Sequence, residues 1–154
     1  MLQMNDATTR LLNTKNRNQG PFRKVLAVCS AGLLRSPSIA HVVSLPPYNC
    51  NARACGSSKE YALVLLDRVL VEWADIIICA NDEQVKPVMA LVAKCSDPTK
   101  EVVNLNLPDS FKTRSRPLMY EIHKRLQKIK FTGTPKSAIS RTIFDLEESQ
   151  QLFS

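Results

Sequence analysis

The chain has 154 residues, 44% of them hydrophobic and 23% charged, with a formal net charge of +7. That length and apolar content suit one globular domain around one core. No apolar run approaches the ~20 residues of a membrane span, and the N-terminus lacks the apolar stretch of a secretory signal, so a cytoplasmic location is the default expectation.

Residues 1–22 are rich in Asn, Thr and Arg with little apolar periodicity, and read as a flexible arm. Val25-Leu26-Ala27-Val28 then reads as a buried strand running into a Gly-containing loop. Residues 36–44 follow as a helix, with Pro37 tolerated in its first turn. A second strand is expected over Asn49–Cys55, ending at Gly56. Ser57 and Ser58 are expected to cap a helix over 59–71, on which Tyr61, Leu65 and Val69 share a face. Residues 74–79 form the clearest strand of the sequence. Asn81 or Asp82 then caps a helix to about Lys94, Glu101–Leu105 is a fourth strand, and 116–129 is a basic amphipathic helix.

Strands alternating with helices imply an α/β fold: a single three-layer domain, with a four-stranded parallel sheet in the order 2-1-3-4 and helices on both faces. The domain is placed at 23–130. The segment 131–154 is taken as a C-terminal extension, helical from about Ser140, either packed on the domain or free to dock a partner. Oligomeric state is not read from the sequence.

The charge is uneven. Residues 112–141 hold nine Lys or Arg against the single acid Glu121, whereas 25–111 is slightly acidic. A basic segment suits an anionic substrate or partner, nucleic acid included, and equally suits a solvated helix face.

Five cysteines are present, Cys29, Cys50, Cys55, Cys79 and Cys95, with no C-x-x-C pair, and His41 and His123 are isolated, so no metal site is expected. In a reducing compartment most such thiols behave as small buried hydrophobes. Cys29 differs by its position, just after a strand and just before a helix. The helix N-terminus and the successive amides of the loop Ser30-Ala31-Gly32-Leu33-Leu34 create positive potential there, which favours a thiolate and binds phosphate oxygens. Five residues separate Cys29 from Arg35, enough chain to curve around one phosphate while the guanidinium presents a bidentate fork. Gly32 sits where tight curvature calls for positive φ. Ser36 can donate its hydroxyl to the Cys29 sulfur. Leu33 and Leu34 offer no chemistry; one is expected to pack inward and the other to line the rim. Ligands in such sheets sit at the carboxyl ends of the strands, which brings the Cys29 loop and the Asp109 loop to one edge.

VLAVCSAGLLRSPSIA resembles the signature of low-molecular-weight protein tyrosine phosphatases, and most of all the small bacterial and phage-type members predicted to be related to them. EWADIIICANDEQV (72–85) resembles that group's third strand, and VVNLNLPDSF (102–111) its acid loop. The resemblance covers about residues 23–128. It implies a cysteinyl-phosphate mechanism without metal or other cofactor, acting on a phosphorylated protein, with phosphotyrosine expected. Cys29 is then the nucleophile, Arg35 the phosphate holder, Ser36 the partner of the sulfur and Asp109 the general acid and base. The family usually has Asn where Gly32 stands, so side-chain hydrogen bonds that steady the loop are lost. Its Asp-Pro-aromatic triplet is replaced here by Pro108-Asp109-Ser110-Phe111; the other Asp-Pro pair, Asp97-Pro98, reads as a turn. Phe111 can stack on an aryl leaving group, and Arg114 and Arg116 can attract an anion. Trp73 and His41 are taken as structural, and Tyr48, Tyr61 and Tyr120 carry no local signal for modification. Two other functions fit the same residues: arsenate reduction, with Cys79 and Cys95 as a disulfide relay, and a non-catalytic module binding phosphate groups or, less favoured, nucleic acid.

Overall fold

The computed structural model describes residues 13–14, 21–32, 35–108 and 115–134. The elements in chain order are β1 (Asn13–Thr14), β2 (Lys24–Cys29), α1 (Arg35–Ser44), β3 (Asn51–Gly56), α2 (Arg68–Trp73), β4 (Ile76–Cys79), α3 (Asp82–Val92), β5 (Glu101–Asn104) and α4 (Arg116–Lys128). They form one sheet in the order β1-β3-β2-β4-β5. The pairs β3·β2, β2·β4 and β4·β5 are parallel. The four parallel strands thus stand in the expected order, second-first-third-fourth. An addition the sequence did not suggest is β1, two residues of the N-terminal segment that pair antiparallel with Ala52 and Arg53 at the β3 edge.

Strand alternation divides the core into two layers. Val25, Ala27, Ile76 and Ile78 face one way, against Ile39, Ala40 and Val43 of α1 and Leu118, Ile122 and Leu126 of α4. Leu26, Val28, Ile77 and Cys79 face the other way, against Val71 of α2 and Val88 and Val92 of α3. After the exposed Lys24 that opens β2, the central strands β2 and β4 are apolar throughout, as a parallel sheet covered on both faces requires. No helix among the described residues is long and apolar enough to cross a membrane.

The helix expected over 59–71 does not form. Gly56 N–H donates to the Val64 carbonyl at 2.9 Å, and Leu66 N–H donates to the Gly56 carbonyl at 2.8 Å, so residues 64–66 run beside the end of β3. The six-residue α2 starts only after Asp67, whose carboxylate accepts Leu70 N–H at 2.9 Å as an N-cap. The helical spacing of Tyr61, Leu65 and Val69 has no partner to bury it: they are 70%, 42% and 74% exposed. Elsewhere the boundaries fall within a few residues of expectation. Asn81 caps α3 through a capping box with Gln84, and Ser115 caps α4 ahead of Pro117.

Beyond α4 the chain stays on the domain through Thr134. Phe131 packs against the core, and Arg23 N–H donates to the Gly133 carbonyl at 2.8 Å. Buried Arg23 also pairs with Glu101 at 2.8 Å, joining β2 to β5 across the base of the sheet. The segment expected to be helical from about Ser140 lies outside the described residues, as do most of the first twenty-two.

Ile122 is fully buried between α4 and the sheet. Ile122→Ala should cost about 2–5 kcal/mol in urea unfolding; a loss below about 1 kcal/mol would show that α4 is not packed as described.

Candidate active site

Cys29 is the last residue of β2, and α1 begins at Arg35. What lies between them is shaped by the neighbouring strand ends. Past its pairing with Cys29, β3 continues beside the loop: Ser57 N–H donates to the Cys29 carbonyl and Ser58 N–H to the Ser30 carbonyl, both at 2.8 Å. On the other side Ala80 N–H donates to the Val28 carbonyl at 2.8 Å. These bonds hold the loop's first carbonyls toward its neighbours. They also correct the reading of Ser57 and Ser58 as helix caps: their amides extend the sheet pairing instead.

Gly32 has φ of +72°, the left-handed conformation its place in the loop calls for. It also lies directly on β3. A Cβ at Gly32 would stand 2.9 Å from Gly56 N, and one at Gly56 would stand 2.6 Å from both the Ser30 carbonyl oxygen and the Ala31 carbonyl carbon. Two backbones touch here, and neither position has room for a side chain.

The contact places donors around the Cys29 sulfur. Gly32 N–H donates to Sγ at 3.1 Å. The thiol donates to Ser36 Oγ at 3.1 Å, and the Ser36 hydroxyl donates onward to the Cys55 carbonyl at 3.1 Å. Once the thiol is deprotonated, the Ser36 hydroxyl is a second donor within reach of the sulfur. Cys29 and Ser36 are buried, 2% and 0% exposed.

Arg35 opens α1 with a buried side chain, and Nη1 donates to the Leu107 carbonyl at 3.4 Å. Leu107 N–H in turn donates to the Ala80 carbonyl at 2.7 Å. The end of β4, the segment after β5 and the start of α1 therefore meet beside the Cys29 loop. Leu107 precedes Asp109 by two residues. Asp109, Ser110, Phe111 and Arg114 lie outside the described residues, as do Leu33 and Leu34 of the loop. Arg116 is exposed in the first turn of α4.

The sequence did not single out Gln84, which is fully buried in α3. Its Oε1 accepts Asn81 N–H at 2.9 Å, and its Nε2 donates to Ser30 Oγ at 3.2 Å. One side chain thus caps a helix and steadies the loop. Glu83 lies beside it, 3.3 Å from Ser30 Oγ. The asparagine-to-glutamine spacing of a capping box is visible in the sequence, but its contact with Ser30 is not. Gly56 carried its own signal, a glycine closing a strand.

Burial pushes Cys50 and Cys79 up to about 12. Cys55 is raised further, by burial first and then by Cys29, Asp67 and Cys79 nearby. Cys95 is also raised, through desolvation and the Glu72 carboxylate. These four are held as neutral thiols at neutral pH. Trp73 is half-buried with the Arg53 guanidinium 4.5 Å from its ring centroid, a cation–π contact between α2 and β3.

No protein-family model and no curated protein matches the sequence. Among solved structures the chain is similar to Vibrio vulnificus Wzb in complex with benzylphosphonate, at 15% identity and a TM-score of 0.45, covering 70% of this chain and 93% of that one. It is also similar to a mutant of the YwlE arginine phosphatase with a phosphorylated active-site serine, at 15% identity and a TM-score of 0.45, covering 69% and 92%. A third is the tyrosine phosphatase Wzb of Escherichia coli K30 in complex with phosphate, at 14% identity and a TM-score of 0.43, covering 70% and 92%.

The backbone contact makes a sharp forecast. Gly56→Ala should destabilise the fold by about 1–3 kcal/mol and shift the amide resonances of Ser30, Ala31 and Gly32 more than those of β5. Unchanged loop resonances would show that the two glycines do not touch.

Proposed function

We propose that the chain is a phosphatase that hydrolyses phosphomonoesters, protein phosphotyrosine in particular, through a phosphocysteine at Cys29. The observation that carries this reading is the buried Cys29 sulfur held between Gly32 N–H, which donates to it, and Ser36 Oγ at 3.1 Å, with Arg35 beginning the next helix. A structural cysteine has no use for that arrangement, since burial without donors serves it better, as at Cys50 and Cys79.

The steps follow from the residues. The Cys29 thiolate attacks phosphorus, and the bond to the ester oxygen breaks. Loop amides and Arg35 hold the three equatorial oxygens as charge spreads over them. Asp109 protonates the departing oxygen, then takes a proton from the water that attacks the phosphocysteine. Inorganic phosphate forms, the S–P bond breaks, and the electron pair returns to sulfur. The Ser36 hydroxyl receives the re-formed thiolate by donating a hydrogen bond. The position of Leu107 against Arg35 supports Asp109 in this role, because only Pro108 separates Leu107 from Asp109. Phe111 is assigned to the aryl group of the substrate.

Arsenate reduction gains no support from the thiols it would use. Cys79 sits inside the sheet with its thiol pushed up to about 12, poorly suited to a disulfide relay. The cytoplasm, where thiols stay reduced, is the compartment in which this chemistry is proposed to run.

Purified protein in reducing buffer should turn over p-nitrophenyl phosphate and a phosphotyrosine peptide. Cys29→Ser should abolish turnover, and Asp109→Ala should lower it about 10²–10⁴-fold. Iodoacetate should label Cys29 ahead of the other cysteines, and inorganic phosphate should protect it. No turnover by the unaltered protein would sink the reading; salt-sensitive nucleic-acid binding without turnover would replace it with a binding module.

A further inference from the structure

The segment between β5 and Pro108 is held by more bonds than a connecting loop needs. Leu105 N–H donates to the Cys79 carbonyl at 3.0 Å and Leu107 N–H to the Ala80 carbonyl at 2.7 Å. Between them Asn106 adopts φ of +52°, a conformation that costs a non-glycine residue energy unless its surroundings impose it. Asn104 Oδ1 accepts Asn106 N–H at 2.9 Å, and Asn104 Nδ2 donates to Asp82 at the start of α3.

The left-handed residue has a geometric result: the carbonyls of Leu105 and Asn106 converge on one nitrogen. Arg125 Nη1 donates to both, each at 2.7 Å. Arg125 Nε is anchored by Glu121 at 2.8 Å one turn back on α4. The very next carbonyl in the chain, that of Leu107, accepts from Arg35. Two arginines from two helices thus grip three consecutive carbonyls.

We infer that Arg125 is a positioning residue: by clamping the Leu105 and Asn106 carbonyls it sets the Leu107 carbonyl, and through it the orientation of the Arg35 guanidinium that binds the phosphate oxygens. This rests on the phosphatase reading for the role of Arg35, and goes beyond it in placing control of phosphate affinity on α4. A lysine cannot reproduce the clamp, because a single ammonium lacks the fork that keeps Nε on Glu121 while Nη1 meets both carbonyls. The neighbouring Lys124 is exposed and supplies a similar charge, whereas the bonds to these carbonyls come from Arg125.

The test is calorimetric titration of inorganic phosphate into the full chain, with thermal melting recorded for every variant. Arg125→Gln should weaken phosphate binding on the order of tenfold. Arg125→Lys should fall between it and the unaltered protein, and it decides the matter if Arg125→Gln does not fold. Lys124→Gln should stay within about twofold of the unaltered protein, because an exposed charge at a distance is screened. Arg35→Lys combined with Arg125→Gln should bind little worse than Arg35→Lys alone, since both act through one guanidinium. Unchanged affinity in the Arg125 variants, equal losses in Lys124→Gln, or full additivity with Arg35→Lys would overturn the inference while leaving the phosphatase reading intact. An unaltered protein that neither binds nor hydrolyses phosphate esters would overturn both.

Discussion

Gly32 and Gly56 bring two backbones into contact at the carboxyl edge of the sheet, and the site is built outward from that contact. With β3 pressed against the loop, Ser57 and Ser58 can hold the carbonyls of Cys29 and Ser30. With those carbonyls occupied, Gly32 turns through positive φ and its amide reaches the sulfur. The Cys55 carbonyl receives the Ser36 hydroxyl and so fixes its oxygen beside the same sulfur. Each bond is worth about 1 kcal/mol by itself, but they share one geometric origin. A loop with glycine in mid-turn is therefore held in shape by close packing from the neighbouring strand.

Electrostatics adds a second layer. Arg35 carries a charge into a site that is 5% exposed, where desolvation of a cation is costly unless it is compensated. The Leu107 carbonyl supplies part of that compensation. A phosphate dianion would supply more. Glu83, which accepts a hydrogen bond from Ser30, places an opposite charge at the rim.

Much of this was legible in the sequence because it rests on local pattern. The apolar runs at 25–28 and 76–79 specify strands covered on both faces, and their alternation with helical segments specifies the parallel order. The loop from Cys29 to Ser36 announces its curvature through Gly32. What escaped was decided by contacts between distant segments. Tyr61, Leu65 and Val69 have the spacing of a helix face, but the backbone of 64–66 pairs with Gly56 and the helix is cut to six residues. Gln84 looks like a helix cap and also holds Ser30, 54 residues away. Arg125 looks like one more cation in a basic helix, and its carbonyl partners lie in a different element. Periodicity records which face of an element is apolar; it does not record which polar end meets which.

The two residues of β1 have a consequence for how the molecule behaves among its own copies. A parallel sheet leaves unpaired amides and carbonyls along each outer strand, and such edges recruit other chains. At one border, Asn13 and Thr14 lie across Ala52 and Arg53 and occupy part of that row. At the other border, β5 presents Glu101, ion-paired to Arg23, a charge that discourages a neighbouring strand from adding on. The N-terminal segment therefore acts as a selvedge, a woven margin that keeps the fabric from catching. Trimming the chain to begin at residue 21 would remove the β1 pairing and expose the β3 edge to self-association.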